Sequence, residues 1–146
     1  MEVDLVLAPV DGSDRSERAV EYALAVADAY GADMHLLFVL DETLVEAIDA
    51  GNVDAESVAS EHRGFADGVR ERIDGNGTGL TYSTAAGFSQ RRLAQSPGSV
   101  ILDVAEEIDA DFVVVPRESP STDPDEAIGK AALYVIEYAS QPVLSV

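Results

Sequence analysis

Cysteine and tryptophan are absent from this 146-residue chain, and lysine occurs once, at position 130; basic residues number 9 against 28 acidic ones. Without cysteine there is no disulfide framework, no zinc–thiolate centre and no thiol chemistry. The net charge of -19 argues against nucleic acid or an anionic membrane as a partner, because phosphate recognition needs clustered Lys and Arg. No apolar run approaches the ~20 residues of a membrane-spanning helix. The amino terminus has no basic segment leading into a long apolar one, so no signal peptide is expected and the location read from sequence is cytoplasmic.

What is present is acid, alanine and an ordinary apolar content. That combination, with lysine nearly eliminated, is expected of a cytoplasmic protein from a high-salt organism; a generic acidic protein is the plainer alternative. Self-repulsion should then destabilise the fold in low-salt buffer. The length suits one domain, residues 1–146, with a proper core.

The stretch Val3 to Ser13, VDLVLAPVDGS, organises the rest. Its apolar run is continuous rather than alternating, which predicts a strand covered on both faces, as in a parallel sheet. Asp11-Gly12-Ser13 then offers a flexible glycine and side-chain oxygens able to cap a helix. The carboxyl end of such a strand is where an open α/β sheet forms its ligand crevice. Asp14 to Tyr30 has apolar residues at helical spacing and is closed by Gly31. Met34 to Leu40 is a second continuous strand, completing a βαβ unit. Asp41 to Val53 reads as an acidic loop with a short helical turn. A second helix capped by Asp54 places Val58, Phe65, Val69 and Ile73 on one face, and Gly64 and Gly68 within it suggest close packing.

After the turn Gly75 to Gly79, Leu80 to Ala86 alternates and is polar enough for an edge strand. The sequon Asn76-Gly77-Thr78 needs no explanation beyond that turn. A segment at 87–95 containing Arg91 and Arg92 precedes a helix beginning near Ser96-Pro97 and carrying Ile101, Val104, Ala105 and Ile108. Asp111 to Val115 is the fourth strand. An acidic, proline-containing loop then leads to a last helix starting at about Asp123, with Ile128, Ala132, Val135, Ile136 and Ala139 as its buried stripe. Pro142 to Val146 is the fifth strand. Five strands alternating with four helices predict a doubly wound α/β domain with helices on both faces.

Catalytic and metal-binding patterns are not found. His35 sits within a strand, where a packed or hydrogen-bonded core histidine is expected. His62 has Glu61 beside it but no HExxH partner. There is no GxSxG elbow and no GxGxxG fingerprint. Gly129-Lys130 is not a P-loop, because Pro124 occupies the upstream glycine position and Ala131 replaces the Ser/Thr. The chain is therefore expected not to be an enzyme.

The pieces VLAPVDGSDRSERAVEYALAVADAYGADMHLLFVLD, DVAEEIDADFVVV and QPVLSV resemble the universal stress protein family, here of halophilic archaeal type, over essentially the whole chain. The resemblance implies a five-stranded parallel sheet ordered 3-2-1-4-5, two helices on each face, and a homodimer in which the last strands meet. Many members bind ATP. Carried over by position, the aspartate that meets adenosine is Asp11, preceded by Pro9 and Val10, and the valine packing on adenine is Val39.

The family's phosphate pattern is glycine, two residues, glycine, nine residues, then glycine followed by Ser or Thr. It falls on Pro116, Ser119, Gly129 and Lys130, so one of four positions survives. Phosphate cradling needs backbone N–H groups that approach an anion closely. Pro116 has no N–H and Ser119 adds a side chain. The segment sets Glu118, Asp123, Asp125 and Glu126 against Arg117 alone. The expectation is a stress-response protein that uses no cofactor and acts through another ligand or an unknown protein partner. The alternative is weak binding of ATP or AMP, or a weak ATPase, with Lys130, Arg91 and Arg92 as new phosphate contacts. The plainer role for Lys130 is pairing with Glu126, four positions before it.

Overall fold

The computed structural model describes residues 2–11, 14–73, 75, 77–86, 97–117 and 127–146, and of 97 and 127–130 the backbone only. In chain order the elements are β1 (Leu5–Val10), α1 (Asp14–Tyr30), β2 (Asp33–Leu40), α2 (Glu42–Asp49), α3 (Ala55–Ile73), β3 (Leu80–Ala86), α4 (Pro97–Glu107), β4 (Phe112–Val115), α5 (Ala127–Tyr138) and β5 (Val143–Ser145). The strands form one sheet in the order β3-β2-β1-β4-β5, and each neighbouring pair is parallel. Parallel strands covered on both faces require continuous apolar runs, and LVLAPV and DMHLLFVL are of that kind.

Alternate residues of the central strands feed two cores. Val6, Ala8, Val10, Leu36 and Phe38 pack with Ala19, Val20 and Ala23 of α1 and Ala66, Val69 and Ile73 of α3. Leu7, Leu37, Val39, Val113 and Val115 pack with Ile101 and Ala105 of α4 and Ala131, Ala132 and Val135 of α5. Carboxylates lock the strand starts in register. Asp111 Oδ2 accepts from the N–H groups of Asp4 (2.9 Å) and Leu5 (3.1 Å), and Asp33 Oδ1 accepts from Gly79 N–H (2.9 Å).

Three helices end by one device. After α1, Ala32 N–H reaches Ala27 C=O and Gly31 N–H reaches Asp28 C=O, with Gly31 at φ 65. The same pair of bonds closes α2 around Gly51 (φ 76) and α4 around Asp109 (φ 56). This is the motif in which a left-handed residue turns the chain back on the last helical carbonyls.

The structure corrects three expectations. The stretch after β2 is not a loop with a turn but the eight-residue helix α2, capped by Asp41, whose Oδ1 accepts from Leu44 N–H at 2.7 Å. Gly64 and Gly68 mark no close packing, since a Cβ at either would meet nothing within 4 Å. The close approach is instead at Gly98, where a Cβ would stand 2.6 Å from Tyr134 Cδ1 and 2.7 Å from its Cβ, so α4 and α5 cross there. Ile136 is 50% exposed and lies off the stripe Ala131, Ala132, Val135, and Ala139 is half-buried. The proposed cap Asp123 and the segment 87–95 lie outside the described residues.

Candidate functional site

The carboxyl ends of β1 and β2 converge on Asp11. Its N–H donates to Ser16 Oγ at 2.8 Å, and that hydroxyl donates back to Asp11 Oδ1 at 2.6 Å. Ser16 is completely buried in the first turn of α1. Asp11 and Ser16 are thus tied side chain against main chain, which holds a carboxylate near the amino terminus of α1, where the dipole favours it. Asp11 is marked by its place at the end of an apolar strand, whereas the only sequence signal of Ser16 is a serine five positions on, inside an otherwise apolar stripe.

Pro9 and Val10 are buried within β1. Val10 is fully covered by the α1/α3 core, whereas Val39, 3% exposed, packs into the α4/α5 core on the other face. Asp11 instead joins Phe38, the neighbour of Val39, in a cavity of about 320 Å³ beside α2 and α3. Its apolar lining is Phe38, Leu44, Val53, Val58 and Phe65, and its polar groups are Asp11, Ser57, Glu61 and His62. A larger depression of about 590 Å³ lies by Gly75, Gly77 and Leu80. It is at the amino end of β3, away from the strand ends where open α/β sheets bind ligands.

His62 contributes most to the character of the cavity. Its ring stacks on Phe38 with centroids 4.1 Å apart, and Nδ1 lies 3.2 Å from Thr84 Oγ1. Burial lowers its pKa, opposed in part by neighbouring Glu61. No sequence pattern marks it, because only the packing of α3 on β2 brings it to Phe38. His35 is the hydrogen-bonded core histidine the sequence suggested: 8% exposed, with Nδ1 2.7 Å from Thr81 Oγ1 and Nε2 2.8 Å from Ser83 Oγ. Burial lowers its pKa as well. Among the described residues no group of three or more His, Cys, Asp or Glu could hold a metal ion. No helix there is long and apolar enough to cross a membrane.

Pro116 is buried directly after β4. Arg117 N–H donates to the main-chain oxygen of Val146, and Val146 N–H donates to Val115 C=O at 3.0 Å. Pro116 therefore offers no N–H, and the next one, of Arg117, is engaged by Val146. Gly129 and Lys130 lie in the helical backbone of α5. Ser119, Arg91 and Arg92 lie outside the described residues.

The model of the universal stress protein family matches residues 3–146. The chain belongs to the universal stress protein family. Solved structures with the same fold include the universal stress protein UspA from Lactobacillus plantarum, at 22% identity and TM-score 0.73, covering 100% of this chain and 99% of that one. A universal stress protein in complex with cAMP matches at 22% identity and TM-score 0.68, covering 100% and 98%. The Archaeoglobus fulgidus universal stress protein in complex with dAMP matches at 22% and 0.62, covering 98% and 96%. No curated protein matches this universal stress protein by sequence.

Proposed function

We propose that this chain is a non-enzymatic, cytoplasmic stress-response protein of the universal stress class whose pocket does not hold ATP, and that it works through another ligand or a protein partner. The observation that carries this reading is Pro116. A triphosphate cradle is built of convergent N–H donors; Pro116 lacks one and Arg117 N–H is engaged by Val146. The acidic sequence that follows adds repulsion that salt softens without restoring donors. Titration calorimetry with ATP in molar KCl tests it. Absence of heat at millimolar ATP is expected; micromolar affinity that disappears in Lys130→Ala overturns it.

A second reading is favoured by the relatives solved with cAMP and dAMP, each of which carries a single phosphate and asks less of the missing cradle. Under it the pocket takes AMP weakly, with Asp11 meeting the adenosine and Lys130, Arg91 and Arg92 as the phosphate contacts. The same titration with AMP separates the two.

We further propose a homodimer through β5. Supporting it, the three-residue edge strand is only half-buried, and α5 exposes Leu133 (65%), Ile136 (50%) and Tyr138 (60%). Light scattering should give twice the chain mass and return to one in Leu133→Asp with Ile136→Asp.

A further inference from the structure

Helix α2 buries none of its residues. An amphipathic helix ordinarily closes its apolar side on a core, but here Leu44 faces open space shared with Val53, Val58 and Phe65. That space, about 320 Å³, stands at the small end of the ~300–1,000 Å³ typical of ligand pockets. It therefore suits a body of about one ring.

Charge selects further. Among the described residues, Glu61 and Asp11 line the cavity and no lysine or arginine does. Asp11 is engaged by Ser16, so Glu61, which makes no ion pair among the described residues, sets the preference. His62, with its pKa lowered by burial, adds an aromatic surface and no positive charge at neutral pH. Among these described lining groups an anion would meet like charge, whereas a cation would meet the Glu61 carboxylate beside an apolar wall.

We propose that the cavity between α2 and α3 binds a compact organic cation, with a single-ring or branched aliphatic body among Leu44, Val58 and Phe65 and an ammonium group directed to Glu61. The cavity shares Asp11 with the nucleotide reading, and its preference for a cation does not depend on whether a nucleotide binds.

The probes are 2-phenylethylamine, its alcohol 2-phenylethanol and the anion 3-phenylpropionate, titrated at pH 8 and fixed KCl while the methyl resonances of Leu44, Val53 and Val58 are followed. The amine should shift them saturably at millimolar concentration or below, and the anion should bind at least tenfold more weakly. Glu61→Gln, on an exposed position, should weaken the amine several-fold and leave the alcohol unchanged. Ser57→Phe, which fills the cavity from α3, should abolish both responses. The proposal is overturned by a missing amine response, by equal affinity for amine and anion, by an amine affinity indifferent to Glu61→Gln, or by undiminished binding in a folded Ser57→Phe variant.

Discussion

The imidazole of His62 lies flat against the ring of Phe38, the two planes inclined by only 10°. Phe65 and Tyr82 meet the same ring edge-on, at 5.7 and 5.8 Å. One phenyl ring at the end of β2 thus ties α3 and β3 together and forms the floor of the cavity. Aromatic pairs of these geometries contribute about 0.5–1.5 kcal/mol each beyond burial.

Acid should loosen this arrangement. His35 and His62 both have pKa values lowered in the fold by burial, so below about 6.5 the unfolded chain takes up their protons first. Their stabilising contribution is complete above about pH 6.5 and is lost as the pH falls toward their folded values. Thermal melts at fixed KCl should show the melting temperature declining from pH 7 to 5, with a shallower decline in His62→Gln. An unchanged slope in that variant would exclude His62 as a source.

Ser16→Ala should destabilise the fold by about 1–3 kcal/mol, because it leaves Asp11 N–H without the hydroxyl that receives it. Denaturant titration measures the loss. Hydrogen exchange at the Asp11 amide should accelerate, which distinguishes a local anchor from a general packing defect.

Glycines of α3 and α4 should respond in opposite directions. Gly64→Ala and Gly68→Ala enter open space on an exposed helix face and should each stabilise by about 0.5–1 kcal/mol. Gly98→Ala drives a methyl into the Cβ and ring of Tyr134 and should cost about 1–3 kcal/mol. Midpoints of chemical denaturation decide both signs.

Asp109→Gly should raise stability by about 0.5–1 kcal/mol, since the left-handed region that Asp109 occupies at φ 56 carries little steric cost for glycine. Calorimetric melting temperatures of the two proteins provide the comparison.

Salt should act on the whole molecule. With a net charge of -19, lowering KCl from about 1 M to 0.1 M lengthens the screening distance from ~3 to ~10 Å and exposes the fold to its own repulsion. A falling melting temperature along that series is expected.

The sheet is legible in the sequence because strands covered on both faces are written as unbroken apolar runs, in LVLAPV as in DMHLLFVL. That same continuity hides which residue faces which core. Phe38 and Val39 are equally apolar neighbours, and only the placement of α3 and α4 assigns one to the cavity and the other to the far side. The helix α2 escapes for a different reason: eight residues hold too few turns for a periodic signal, so its information sits in the cap Asp41 and the stop at Gly51. Ile136 reads as core because β-branched apolar residues do so on average, yet one step along the helix from Val135 turns it some 100° away. His62 carries no motif at all, and its role comes from tertiary contact with a residue 24 positions earlier.

His35, held between Thr81 and Ser83, has one further consequence. A neutral imidazole gives a proton at one nitrogen and takes one at the other, so one hydroxyl must point its hydrogen at the ring while the other receives the ring's. While the ring is neutral the two hydroxyls on β3 therefore take opposite roles toward it, and the other tautomer would exchange them. Which hydroxyl on the edge strand donates is thus set by the His35 tautomer, and ring-nitrogen chemical shifts read it directly.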